Sequence, residues 1–324
     1  MEQLKTPVAV IVFKRLDATK KMFEAVRAVQ PKELFIIADG WRNEKEKEKC
    51  LAVRSYLDTA VDWPCVVHKD YSDKNLGCKM RVVSGLDEVF KKVEDAIIVE
   101  DDCVPDVSFF EFCEELLERY RHEPTVMQIA GLNVQQKNKN FTTNGASYYF
   151  SQFGEIWGWA TWRRAWNLYD VSISKWPQVK AERVLEKRLK DPGVVDYWEH
   201  RFDEIYEAGD DMRKFDAWAA QCVFAQLLYG GLSAVPKTNL IQNFGDDEDA
   251  TRLKDIQAPE NYRRPVIALT FPLQHPAHIE VNTQADDFTL YEGFRIKRKI
   301  SEKILFFFKR YMPSVHNLLR TLKK

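Results

Sequence analysis

No run in this 324-residue sequence approaches the roughly 20 consecutive apolar residues that a bilayer-spanning helix requires, so an integral membrane helix is not expected. The opening residues, Met1 to Lys5, are polar and pass directly into an apolar stretch, without the charged, apolar and small-residue regions of a secretory leader. Cysteine is sparse. Cys50, Cys65, Cys78, Cys103, Cys113 and Cys222 form no C-x-x-C pair and no dense framework, which argues against a disulfide scaffold. Free thiols in a reducing, cytoplasmic compartment are the expectation. Excess charge is also missing: 48 Lys and Arg stand against 49 Asp and Glu, which gives no reason to expect nucleic-acid binding. Glycine is absent from Val12-Phe13-Lys14-Arg15-Leu16, just after the first apolar run, so a glycine-rich phosphate loop is not expected there.

What is present is an alternation of apolar runs and amphipathic segments. Val8 to Phe13 is continuous, β-branched and apolar, as a strand buried on both faces requires. A helix follows, with Asp17 placed to cap it, Met22, Phe23, Val26 and Val29 on one face, and Pro31 at its end. Leu34 to Ala38 supplies a second strand, ending at Asp39-Gly40. The pattern predicts a charged helix over 44–57, a short strand at 65–67, a helix over 79–93 and a strand at 96–99. Strands alternating with helices predict a doubly wound α/β sheet, whose ligands bind beyond the carboxyl ends of its strands.

The strand at 96–99 stops at Glu100-Asp101-Asp102. Three adjacent carboxylates at the end of a buried strand repel one another unless a cation or hydrogen-bond donors compensate them. Mg²⁺ or Mn²⁺ bridging a diphosphate supplies such compensation, since these ions take one or two carboxylates and complete their shell with phosphate and water. A solvated acidic turn that caps the helix after Pro105, Asp106 and Ser108 is the competing reading.

Several segments in order resemble one family. Asn75-Leu76-Gly77-Cys78-Lys79-Met80-Arg81, the run 96–102, Ser108 to Phe112, Trp157 to Trp166, Phe215-Asp216-Ala217-Trp218 and Asn239 to Gly245 resemble bacterial sugar transferases related to N-acetylglucosaminyltransferase I. The resemblance spans about residues 7 to 252. It implies a GT-A fold, a doubly wound mixed sheet flanked by helices, and an inverting transferase that moves a sugar from a UDP-sugar to a glycan or lipid-linked acceptor in surface polysaccharide synthesis. It also implies Mn²⁺ or Mg²⁺ at Asp102, with Glu100 and Asp101 shaping the triad and contacting the donor. Asp39 matches the acid that receives the uracil imide, and Arg15 and Arg81 match donor-binding positions. Asp39-Gly40 as a plain turn, Arg15 as a solvated charge and Arg81 as a surface helix residue are the competing readings.

Asp216 matches the acid that takes the acceptor hydroxyl's proton, with Asp210 and Asp211 as alternatives. Phe215 and Ala217 depart from the family's pattern around it, and Asp216 also suits an N-cap for an apolar helix over 217–229. Trp159, Trp162 and Trp166 have the spacing of one helical stripe, which predicts burial, whereas Trp157 and Gly158 are expected to contact the donor. Glu155 reads as an exposed acid that could bind an acceptor hydroxyl, and Phe244 to Asp249 as a glycine-containing acidic loop, which the resemblance implies closes over the donor phosphates or meets the metal and which otherwise reads as solvated.

The division expected is a GT-A domain over 1–293, with a nucleotide-sugar half (1–132) and an acceptor half (133–293), and a tail over 294–324. The tail carries ten Lys or Arg against one acid, Glu302, with Ile296, Ile300, Ile304, Phe307 and Tyr311 at helical spacing. Such a segment suits peripheral attachment to an anionic membrane or packing on the acidic body. A sugar nucleotidyltransferase and a non-catalytic membrane-docking module are the alternative functions.

Overall fold

The computed structural model describes residues 2–209, 211, 214–245, 264–294 and 296. Asp210, the acidic stretch Asp246–Asp249 and the tail, apart from Phe294 and Ile296, lie outside the described residues. The chain is a mixed α/β structure built on an eight-stranded sheet flanked by helices, as the alternating pattern predicts. In chain order its elements are β1 (Val8–Val12), α1 (Leu16–Val29), β2 (Glu33–Ala38), α2 (Glu44–Ala60), β3 (Val66–Tyr71), α3 (Gly77–Lys92) and β4 (Asp95–Glu100). Then come β5 (Cys103–Pro105), α4 (Val107–Arg119), β6 (Val126–Ala130), β7 (Tyr148–Ser151), β8 (Trp159–Trp162) and α5 (Arg163–Trp166). A helical block of α6 (Trp176–Ala181), α7 (Val184–Arg188), α8 (Pro192–Ala208) and α9 (Ala219–Tyr229) precedes β9 (Leu232–Pro236), β10 (Ile241–Asn243) and α10 (Thr283–Phe288).

The strand order is β3-β2-β1-β4-β8-β6-β9-β7. β1 pairs in parallel with both β2 and β4, while β8 runs antiparallel between β4 and β6. The chain therefore winds outward through β2 and β3, then returns to the other side of β1. That reversal creates a crevice beyond the carboxyl ends of β1 and β4, the position where open α/β sheets bind ligands.

The continuous apolar run of β1 is explained by burial on two sides. Val8, Val10 and Val12 join one cluster with Met22, Phe23 and Phe110, while Ala9 and Ile11 join another with Val82, Leu86 and Ile98. β3 extends to Tyr71, beyond the short strand expected, because its polar residues sit on an exposed sheet edge where backbone pairing needs no apolar side chains. Asp17 lies in the first turn of α1 and does not cap it; Arg15 holds the N-cap position with no side-chain cap bond.

The tryptophan block also differs from expectation. Trp159 and Trp162 belong to strand β8, and Trp166 ends the short helix α5. All three are buried, but an offset of three in a strand places the first two on opposite faces, Trp159 beside Trp166 and Trp218 and Trp162 beside the α4 side chains. A strand between two helical layers takes aromatics on both faces, so helical spacing arises there without a helix.

Phe294 and Ile296, which open the tail, pack with Phe153, Trp198 and Phe202 in a third apolar cluster, so Ile296 is buried against the body and not part of an outward-facing stripe. Among the described residues no helix is long and apolar enough to cross a membrane.

Beneath α4 the Tyr120 and Tyr148 hydroxyls share a 2.5 Å hydrogen bond, and Tyr148 also meets His275 Nδ1 at 3.0 Å. Tyr120→Phe is expected to lower stability by about 1 kcal/mol, the usual net worth of one such bond, since Tyr148 keeps a second partner. The midpoint of urea denaturation measures it.

Candidate active site

At the crevice between β1 and β4 lies a cavity of about 160 Å³ lined by Arg15, Asp39, Arg81, Glu100, Asp101 and Asp216, together with Ile11, Phe13, Arg42 and Asn75. Residues from four strand ends or helix starts and from a loop more than a hundred positions away thus meet at one place. Trp157, Gly158 and Asp102 are not among its lining residues. The cavity is smaller than the roughly 300–1,000 Å³ of a typical small-molecule site.

Each acid has specific partners. The Asp39 carboxylate, at the exit of β2, accepts from the Gly40 amide (2.9 Å), Asn75 Nδ2 (2.9 Å), the Leu76 amide (2.8 Å) and the Gly77 amide (3.1 Å). Burial pushes its pKa up, and those amides oppose the shift. Contact with a base N–H would therefore require one of these four donors to yield or share its oxygen.

Asp101 is 5% exposed and accepts from the Phe13 amide at 3.2 Å and from Arg15 Nη2. Arg15 Nη2 also lies 2.9 Å from Asp102 Oδ2. Burial works against the Arg15 charge, but the Asp101 and Asp102 carboxylates outweigh it and raise the guanidinium's pKa. Asp101 itself is raised by burial, with Arg15 opposing and Asp102 adding to the shift. Arg15 is thus the clamp of Asp101 and Asp102 and no solvated surface charge.

Asp102 uses one oxygen on Arg15, and the Cys103 thiol donates to the other at 3.3 Å. Its side chain is 19% exposed, just beyond the carboxyl end of β4. An oxygen donor set of this kind fits a hard divalent cation held by one or two carboxylates, with phosphate and water completing the shell. Among the described residues no three His, Cys, Asp or Glu side chains are grouped to hold a metal unaided, so such an ion would need oxygens supplied by its ligand.

Arg81 projects from α3 into the cavity wall with its side chain 4% exposed and one nitrogen paired to Asp70. Its Nε is buried with no hydrogen-bond partner among the described residues. A surface helix position is therefore excluded, and one buried guanidinium N–H is left unsatisfied among the described residues.

Asp216 does not cap the helix that follows it. That helix, α9, begins at Ala219 after Trp218 with no side-chain cap bond. Instead Asp216 accepts from the Cys78 and Lys79 amides at 3.3 and 2.8 Å. Two acids remote in sequence, Asp39 and Asp216, thereby take all four amides from Leu76 to Lys79, those that the first turn of α3 would otherwise leave without partners.

Gly158 and Trp157 lie toward the other face. Gly158 adopts φ of +61° and a Cβ there would stand 2.4 Å from Ile241, while Trp157 packs against the α4-side cluster. Glu155 is half-buried, where the sequence suggested exposure. Burial pushes its pKa up to about 7, with Arg264 opposing.

Sequence reasoning missed Lys14 and Arg42, which converge on Glu46. Lys14 Nζ reaches Glu46 Oε1 at 2.9 Å and Arg42 Nε reaches Oε2 at 2.9 Å, and the Arg42 hydrogen bond holds Glu46 down to about 2. The available signal was position, since Lys14 and Arg42 follow the ends of β1 and β2.

No protein-family model matches the sequence, and no curated protein matches it. Relationship to N-acetylglucosaminyltransferase I accordingly stays an expectation of the sequence. Among solved structures, the chain is similar to the crystal structure of S. aureus TarS 1-349, with a TM-score of 0.37 and 10% identity over 73% of this chain. It spans 59% of that chain, a likeness too distant to assign family or activity.

Proposed function

We propose that this chain is an inverting glycosyltransferase that transfers a sugar from a nucleotide-diphosphate donor, a UDP-sugar, to a hydroxyl of a glycan or lipid-linked acceptor in surface polysaccharide synthesis. The observation that carries the reading is the convergence of Arg15, Asp39, Arg81, Glu100, Asp101 and Asp216 on one cavity at the reversal point of the sheet. On this reading the nucleoside occupies the cavity, near Asp39 and the unsatisfied Arg81 Nε. Arg15 and Arg42 face the diphosphate. Asp102 would hold Mn²⁺ or Mg²⁺, which when bound neutralises the charge that builds on the diphosphate leaving group, while Glu100 and Asp101 would contact the donor. The residues of the chain orient the donor so that the acceptor oxygen attacks in line, and no covalent intermediate is required.

Titration calorimetry tests this. UDP is expected to bind in the presence of MnCl₂, and binding is expected to disappear with EDTA in place of the metal or in Asp102→Ala. Absence of heat from UDP, with and without Mn²⁺, would sink the donor assignment. Metal-independent binding that Asp102→Ala leaves unchanged would sink the metal assignment alone.

A further inference from the structure

The charges that line the donor cavity balance: Lys14, Arg15, Arg42 and Arg81 stand against Asp39, Glu100, Asp101 and Asp216. A diphosphate therefore gains nothing from a net field there and depends on cations gathered at one place. Arg15 is engaged by Asp101 and Asp102, and Arg81 by Asp70. Lys14 and Arg42 differ, because the acid that holds them, Glu46, is not part of the lining.

Among the described residues these two cations share the same two partners. Lys14 Nζ and Arg42 Nε each lie 2.9 Å from a Glu46 carboxylate oxygen, and Arg42 Nη2 adds a further bond. Lys14 Nζ is also 5.6 Å, and Arg42 Cζ 5.7 Å, from the centre of the Phe13 ring, which itself lines the cavity. A carboxylate and an aromatic face thus bracket the pair. Lys14 spends one of its three ammonium hydrogens on Glu46, and Arg42 two of its five, so most of their donors remain for a ligand.

Glu46 is itself fixed. It is the third residue of α2, its amide donates to Asn43 Oδ1 at 3.0 Å, and its Oε2 accepts from the Arg42 amide at 3.1 Å. The Arg42 side chain is 47% exposed in the loop after β2, where a long unpaired guanidinium would sample many rotamers. Holding it on a helix-anchored carboxylate removes that entropy cost before a ligand arrives. A carboxylate that only neutralised the pair would repel an incoming phosphate, and its loss would tighten binding. One that places the pair has the opposite signature.

We propose that Glu46 is a positioning residue that holds Lys14 and Arg42 together as the cradle for the donor's diphosphate, an inference that rests on the glycosyltransferase reading above. Lys14 and Arg42 touch the phosphate oxygens; Glu46 acts through them and does not meet the ligand.

The test is titration calorimetry of UDP on the full chain with MnCl₂. Glu46→Gln, which keeps one acceptor oxygen and removes the charge, is expected to weaken UDP about 10-fold. Glu46→Asp keeps the charge but withdraws both oxygens by one methylene, and should weaken UDP as well. It also decides the matter if the Gln variant does not fold. Lys14→Met with Arg42→Met should weaken UDP about 100-fold, and adding Glu46→Gln to that double variant should cause no further loss, since Glu46 then has nothing to place. A purely structural Glu46, serving only the start of α2, would add its loss in that background too. Unchanged or tighter UDP binding in Glu46→Gln, wild-type binding in Glu46→Asp, or a further loss in the triple variant overturns the assignment while wild type still binds UDP. If wild type binds no UDP, the glycosyltransferase reading has failed and the positioning role falls with it.

Discussion

Arg15→Met is expected to destabilise the chain by about 3–5 kcal/mol, the usual cost of breaking a buried ion pair by removing one partner. Met keeps most of the packing volume, so the loss reports the charge. Asp101 is 5% exposed, and its remaining donor would be the Phe13 amide at 3.2 Å. The adjacent Asp102 carboxylate, also deprived of Arg15, would add repulsion. Urea denaturation at pH 7 measures the effect, and the Arg15→Met, Asp101→Asn pair should recover much of it, because a neutral amide at 101 needs no cation. A loss under about 1 kcal/mol would equate this pair with an exposed surface bridge and remove the clamp role. Donor binding should fail in the single variant even at temperatures where it remains folded.

Asp39→Ala should have the second largest effect, about 3 kcal/mol. Hydrogen bonds to a charged acceptor contribute about 1.5–3 kcal/mol each, but the four donors at Asp39 are not additive, since water can reach some of them after substitution. The loop they hold is tightly fitted: a Cβ on Gly40 would stand 2.4 Å from the Lys74 carbonyl carbon. Asp39→Asn should lose less, because one oxygen still accepts. Equal losses for Ala and Asn would indicate that the charge, more than the bonds, organises the loop.

The contrast between what the sequence reveals and what it hides follows the range of the interactions. β1, β2 and β4 are legible because strands buried on both faces demand uninterrupted apolar runs, and six expected site residues meet in one cavity because strand ends in this topology converge. The strand at Trp159–Trp162 is hidden by the same two-sided burial, which imitates helical spacing. Asp216 reads locally as the start of an apolar helix, yet its partners are 137 and 138 positions away. No window pattern carries that pairing. Glu155 likewise looks exposed beside its glycine, and only the assembled face of β6 and the approach of Arg264 determine its environment.

Amides in the first turn of a helix ordinarily exchange with solvent quickly, because no carbonyl precedes them to accept their hydrogen bonds. In α3 those of Leu76, Gly77, Cys78 and Lys79 are instead tied to carboxylates at positions 39 and 216. Their exchange with deuterium should therefore not report local fraying. Leu76 and Gly77 open only when the β2 exit lets go, Cys78 and Lys79 only when the segment before α9 does, so one helical turn carries separate clocks for the two halves of the molecule.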